Sequence, residues 1–346
     1  MIKEKANVKQ SIKEKEKLFE QWLSLVDIDV DFIRTLDAEK RKSPNPFLKY
    51  LIYKLMKEII KNEERISTYR IAEKINNEFK LGKKKLSSTI YQWLTDGRHP
   101  LSNIKIPRPS CKIAQVICAT LGDGAVAYAR KRGVRKINFS NIKDLDFVLE
   151  VKKLMEGSCG GTAYCRKNKL GYFDLDYDDS TFLGYLVYIA KKDPLRIGKL
   201  VQRYPRAIRG LFDAEGCVNE KTMSVTLVNR DERVIALVSL ALSKLRIHHV
   251  IRLRKYLPFM IDKRRKKIYS CNPIGHEVYI RRYCLKRFKR LIGFSIKRKQ
   301  ETLEKIIKRR ETLGDERHKI RWCPEKSITP SLFLLSLVSC LALTLV

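Results

Sequence analysis

Over residues 1–62 apolar positions recur at helical spacing within a strongly charged background, with Phe19, Trp22, Leu23 and Val26 on one face. A second helical run covers 47–60, and Ser43-Pro44-Asn45-Pro46 separates the two. The segment STYRIAEKINNEFKLGKKKLSSTIYQWLTDGRHP (67–100) predicts two short helices. Ser67 caps the first, which carries Ile71, Ala72 and Ile75. Lys80 and Lys83–Lys85 form a basic turn. Ser87 or Ser88 caps the second, which carries Ile90 and Trp93 and is closed by Gly97 and Pro100. With Ser88, Thr89, Tyr91 and Gln92 exposed on its second helix, the pair reads as a helix-turn-helix at about 67–97 that would contact DNA. The plainer reading is a small helical bundle without nucleic acid.

Beyond a linker near 101–109 the pattern changes and then repeats. An apolar helix ends in Gly-Asp-Gly (122–124), and 92 positions after Asp123 a second helix ends in Ala-Glu-Gly (214–216). After each come short alternating strands, at 125–131 and 134–139 in the first copy and at 217–219 and 222–228 in the second. Polar caps follow at Asn141 to Asp144 and at Asn229 to Asp231. Each leads a helix, 147–155 or 234–245, and then further strands ending in 172–177 or 277–283. A last helix begins near Phe182 or Phe288, so the order α-β-β-α-β-β-α occurs twice. The predicted organisation is a helical region over 1–105, repeats over 110–203 and 204–321, and an apolar tail over 328–346.

Composition turns this repeat toward a partner. The 346 residues include 73 Lys or Arg against 38 Asp or Glu, a net charge of +35, and 44% are hydrophobic. That is enough apolar material for packed cores, and the one-sided charge points to a polyanion, nucleic acid before a membrane surface. Nine cysteines form no CxxC bracket, which argues against a thiolate metal site; with no signal peptide they fit a reducing cytoplasm. The uncharged run 331–346 is shorter than the ~20 residues of a spanning helix. A tail anchor, a buried helix and an extension without function all remain open for it. A membrane role alone would leave the repeat unexplained.

The two acidic helix ends suggest chemistry. Cys118 and Gly122 in the first helix, and Gly210 and Ala214 in the second, put small residues at i and i+4, where two helices can approach closely. If these helices pack together, Asp123 and Glu215 emerge side by side at their C-terminal ends. There each is opposed by its twin and by the helix dipole, unless a proton or a cation sits between them. Oxygen-only ligands select a hard divalent ion, of which Mg²⁺ is the commonest. Either motif alone would read as an ordinary helix stop.

VICATLGDG (116–124) and IRGLFDAEG (208–216) resemble the paired signature helices of the LAGLIDADG homing endonucleases, the second closely and the first with Cys118 where the family usually has Gly. The resemblance runs from about 113 to 307 and includes GFSIKRKQETLEKI (293–306), which looks like the family's closing segment. The leading helix-turn-helix resembles one that some archaeal members carry. The resemblance implies an α+β fold, a pseudo-twofold duplicated αββαββα unit whose saddle-shaped antiparallel sheets lie over double-stranded DNA. It implies a monomer that cuts one phosphodiester in each strand with Asp123 and Glu215 holding Mg²⁺. Lys297 matches the closing-segment lysine, with Lys299 as the near alternative, and aligning Phe182 with Phe288 places Lys191 as its counterpart in the first half. The same fold also serves catalytically inactive DNA-binding regulators and maturases that hold intron RNA.

DNA contact would then spread over the strands. Between Lys244 and Lys299 lie 19 Lys or Arg against two acids, Asp262 and Glu277. Arg252, Arg254, Arg264, Arg265, Arg281 and Arg282 are candidate contacts there, and Arg130, Arg132, Arg166 and Lys167 are candidates in the first repeat, where Lys136 adds to a sparser basic set.

Overall fold

A computed structural model describes residues 2–29, 31–32, 46–63, 65–79, 86–129, 134–178, 180–255, 259–262, 267–270 and 274–312. They fall into two compact units. The first runs to Gly216 and takes in Phe294–Ile296; the second holds Cys217–Gly293 and the helix that begins at Lys297.

The first unit opens with four helices: α1 (Ile2–Leu25), α2 (Pro46–Asn62), α3 (Thr68–Phe79) and α4 (Leu86–Thr95). Phe19, Trp22 and Val26 of α1 are buried, as their three- and four-residue spacing requires of a core-facing stripe, while Leu23 is only half-buried. Phe19 packs against Phe47 and Tyr50 of α2, with ring centroids 5.0 and 4.4 Å apart. The Trp22 indole N–H donates to the Pro107 carbonyl at 2.7 Å. Ser67 caps α3, its Oγ accepting from the Arg70 N–H at 3.3 Å. Ser87 and Ser88 do not cap α4. The helix already starts at Leu86, whose side chain is buried, so both serines sit in its first turn. Ser88, Tyr91 and Gln92 lie exposed at i, i+3 and i+4 of α4, whereas Thr89, off that stripe, is half-buried; Gly97 follows at φ +61°, a conformation few other residues adopt. The basic turn 80–85 lies outside the described residues.

The first α/β repeat follows as α5 (Cys111–Gly122), β1 (Gly124–Ala129), β2 (Val134–Ile142), α6 (Leu145–Cys159), β3 (Tyr164–Lys167), β4 (Phe173–Tyr177) and α7 (Thr181–Lys192). Its antiparallel sheet has the order β1-β2-β4-β3. Ile137, Phe139, Leu175 and Tyr177 are buried on one face, and the registers Ile137↔Tyr177 and Phe139↔Leu175 align them. The unit ends in α8 (Gly198–Arg203) and α9 (Arg209–Glu215), each entered through a proline-led 3₁₀ turn.

In the second unit β5 (Gly216–Asn219), β6 (Ser224–Asn229), α10 (Glu232–Lys244), β7 (His249–Lys255) and β10 (Ile274–Ile280) reproduce that succession. The sheet order β5-β6-β10-β7 is again first, second, fourth, third. The added hairpin β8 (Phe259–Asp262) and β9 (Lys267–Ser270) forms its own two-stranded sheet between the third and fourth strands. The chain is thus α+β with two four-stranded antiparallel sheets and a helical N-terminal region. Strand β10 ends at Ile280 rather than near 283, since Arg282–Cys284 turn as a 3₁₀ helix into α11 (Leu285–Leu291). The last helix also differs between copies. α7 is continuous, whereas after α11 the chain breaks at Ile292 and restarts as α12 (Lys297–Thr312). Lys191 therefore lies in a last helical turn and Lys297 in a first one.

Helix α7 is buried from Phe182 to Ala190, because it has partners on more than one side. Phe182 sits 5.1 Å from Phe47, 5.5 Å from Phe19 and 5.9 Å from Trp22, ring centroid to centroid. This aromatic cluster packs the N-terminal helices onto the first repeat. Phe182→Ala is expected to lower stability by about 3–5 kcal/mol, read as a fall in the urea midpoint.

Among the described residues no helix is long and apolar enough to cross a membrane, and the run 328–346 lies outside them.

Candidate active site

Helices α5 and α9 cross with almost nothing between their backbones. A Cβ added at Gly122 would stand 2.5 Å from the Ala214 Cβ and 3.2 Å from the Glu215 Cγ. One added at Gly210 would run into the Gln115 carbonyl oxygen and come within 2.6 Å of the Ala119 amide nitrogen. The small residue facing Gly210 is therefore Ala119, next to the predicted Cys118. Cys118 is fully buried, and that burial pushes its thiol pKa upward.

The crossing brings the two acidic ends to one place. Gly122 lies against the Glu215 side chain, and Asp123 is the next residue. Asp123 is the C-cap of α5, its N–H donating to the carbonyls of Ala119 and Thr120, and its side chain is exposed. Glu215 is the last residue of α9 and half-buried, with Gly216 as C-cap. Both carboxylates thus sit at the negative pole of a helix.

Lys191, near the end of α7, enters the same place. Its ammonium donates to the Leu121 carbonyl at 3.0 Å. Burial lowers the Lys191 pKa, and the charges of Glu215 and Asp123 oppose that shift. An ammonium that senses both carboxylates is a standing counter-charge for them. It cannot ligate a metal while protonated, so the donors offered here are oxygens alone. The described residues contain no group of three or more His, Cys, Asp or Glu able to hold a metal. Two carboxylates fit a hard, hydrated cation that keeps several waters and completes its shell with substrate oxygens.

Asp213, one residue before Ala214, is buried. Its Oδ1 accepts from the Ser295 N–H at 2.9 Å and its Oδ2 from the Ser295 hydroxyl at 2.7 Å. These bonds pin the Phe294–Ile296 segment to α9. Asp213→Ala leaves the two Ser295 donors without their acceptor in a partly buried place, so a stability loss of about 1–3 kcal/mol is expected in chemical denaturation.

The sheets distribute the basic candidates unevenly. In the first sheet the core face takes Ile137, Phe139, Leu175 and Tyr177, and the registers put Lys136, Asn138, Asp174, Asp176, Tyr164 and Arg166 on the other face. There Lys136 pairs with Asp176 at 3.0 Å, and Arg166 stands 3.7 Å from both Asp174 and Asp176. Lys167, opposite Phe173, points to the core side at the sheet edge and is exposed.

In the second sheet Arg252 lies opposite Glu277 and Arg254 opposite Gly275, so both arginines share the face turned away from the buried Val278 and Ile280. Arg281 and Arg282 are exposed just past β10, and Lys297 is exposed at the start of α12 in the second unit. Arg130, Arg132, Arg264 and Arg265 lie outside the described residues.

Sequence reasoning counted Glu277 among the acids without pairing it to a base, and it passed over Asp174 and Asp176 in the first repeat. The alternation Phe-Asp-Leu-Asp-Tyr over 173–177 carries the signal, because period two puts both aspartates on the face opposite Leu175.

Residues 205–293 match the family described as a LAGLIDADG-like domain. The uncharacterized protein MJ0398 of Methanocaldococcus jannaschii is 26% identical over 252 residues, covering 71% of this chain and 89% of its own. Among solved structures the chain is similar to mesophilic variants of the homing endonuclease I-DmoI, at a TM-score of 0.37 and 18% identity over 53% of this chain and 90% of that one. It is similar to the homing endonuclease I-WcaI bound to its DNA recognition sequence, at 0.35 and 18% over 56% and 87%. For full-length DUF199/WhiA from Thermatoga maritima the values are 0.36 and 16%, over 69% of each chain.

Proposed function

We propose that this chain, whose residues 205–293 match the LAGLIDADG-like domain family, is a site-specific double-strand DNA endonuclease of the homing type that works as a monomer with divalent metal. The observation that carries the reading is the α5–α9 crossing, which delivers Asp123 and Glu215 to one end of the helix pair with Lys191 between their fields. A carboxylate pair at two helix C-termini costs stability, and metal-dependent phosphodiester hydrolysis is a use that requires it.

In this reading Asp123 and Glu215 hold the cation, Mg²⁺ by preference, each serving one strand. When bound, the metal supplies an activated water and neutralises charge on the scissile phosphate. Lys191, tethered to the Leu121 carbonyl, supplies positive charge toward the phosphate. Lys297 has the corresponding role for the second strand. Exposed arginines and lysines of both repeats attract the duplex, and the α4 stripe of Ser88, Tyr91 and Gln92 gives the N-terminal helices a second contact with it. Because the two halves differ in their charged faces, the target is asymmetric.

Lys191 also favours a second reading. A resident cation lets two carboxylates persist without metal, as in a regulator or an intron RNA maturase that binds without cutting. Purified protein is incubated with DNA spanning its host insertion site, with Mg²⁺ or with EDTA. The endonuclease gives a double-strand break in Mg²⁺ alone. Tight binding in both conditions with no break would overturn the enzymatic reading in favour of the binder.

A further inference from the structure

The face of the second sheet that carries Arg252 and Arg254 also holds an acid, Glu277, whose side chain is 2% exposed while that of Arg254 is 53% exposed. The Arg254 Nε donates to Oε2 at 3.0 Å and an Nη2 hydrogen to Oε1 at 2.6 Å, so the carboxylate grips the guanidinium side-on. Two positions earlier, the Arg252 guanidinium carbon lies 3.9 Å from the centre of the Tyr279 ring. Glu277 and Tyr279 are themselves two residues apart on β10, directly opposite Arg252 and Val250.

If this face served only to attract phosphates, Glu277 would work against it. A buried carboxylate cancels the charge of its partner, and the Arg254–Glu277 pair adds nothing to long-range attraction. What the pair does add is orientation. A long, rotamer-rich side chain is held in one plane before any partner arrives, while about half of it stays exposed. The Tyr279 ring does the same for Arg252 through its face and leaves the charge intact. A fixed, planar fork is what bidentate recognition of guanine O6 and N7 requires. Alternate residues of a strand stand about 7 Å apart, which matches two base-pair steps of about 3.4 Å each. In the first sheet Arg166 meets Asp174 and Asp176 only at 3.7 Å, without the side-on grip.

We infer that Arg252 and Arg254 are pre-oriented base-reading groups, positioned by Tyr279 and Glu277, which select guanines about two base pairs apart in the DNA half-site facing the second sheet. The inference rests on the proposed function for its DNA partner, and it concerns which bases are chosen rather than whether they are cut.

The full chain is presented with double-stranded DNA randomised over the target. Bound sequences are selected in Ca²⁺ and cleaved sequences in Mg²⁺. Wild type is expected to enrich two guanines about two steps apart. Glu277→Gln and Arg254→Lys each lose discrimination at the same one of these by on the order of tenfold, and Tyr279→Leu and Arg252→Lys do so at the other.

A paired Arg254→Met, Glu277→Met variant removes both charges of the pair together, leaves no unpaired buried carboxylate and so guards against simple unfolding. It is expected to remain folded by circular dichroism and to lose the same guanine. Uniform weakening across all sequences, or unchanged preference in these variants, would overturn the inference and leave the endonuclease reading standing. A wild-type chain that enriches no sequence would overturn both.

Discussion

Asp123→Asn and Glu215→Gln, made singly, are expected to reduce double-strand cleavage on the order of 10³-fold or more at saturating protein, while binding to the same DNA in Ca²⁺ changes little. Each substitution keeps the shape of the side chain and removes one charge from a cation site built of two carboxylates. At the two helix ends negative charge is disfavoured, and against this each carboxylate offsets the charge of Lys191. The two effects oppose each other, so thermal midpoints are expected to change little. Lys191→Met, which removes a charge toward the phosphate and keeps both carboxylates, is expected to cost about 10²-fold. Single-turnover cleavage of a labelled duplex measures all three. Normal cutting by either carboxylate variant would show that the pair does not hold the metal.

Gly210→Val is expected to cost about 3 kcal/mol or more and to abolish cleavage as the helix crossing opens. The obstacle to a side chain there is backbone: the Gln115 carbonyl oxygen and the Ala119 amide, neither of which can rotate away as a side chain would. Gly198 is the control. It opens α8 with ordinary helical angles, and a Cβ there meets nothing within 4 Å. Gly198→Ala is expected to be neutral or stabilising by about 0.5 kcal/mol. Urea denaturation compares the two. Equal stability of both variants with wild type would mean that α5 and α9 do not cross backbone to backbone.

Much of the architecture was legible because its signals are local. The acidic helix ends, the alternating strands and the polar caps follow spacing rules that act over a few residues, and each copy supported the other. Ser67 as a cap followed from the same rules. The capping of α4 was misjudged because burial of Leu86 extends the helix, and burial is a tertiary property. The interruption before Lys297 was similarly hidden. Asp213 anchors Ser295 from 82 residues away in sequence, and no local pattern records that bond.

Charge shows the division most clearly. Counting Lys and Arg located an excess after residue 244, but a count treats every base as available. Folding places Asp174 and Asp176 beside Lys136 and Arg166, and Glu277 beneath Arg254, so several counted charges are already matched.

By itself, the sequence determined that the chain is duplicated, basic and equipped with two acidic helix ends, because periodicity, composition and small-residue spacing are written along the chain. Only the tertiary structure decided that Gly122 meets Ala214 and Gly210 meets Ala119, that Lys191 reaches the two carboxylates, and that Arg254 is gripped by a buried glutamate. Those facts depend on the fold bringing together residues 23 or more positions apart in the chain. The packing of whole helices and sheets sets such approaches, and no sequence window spans them.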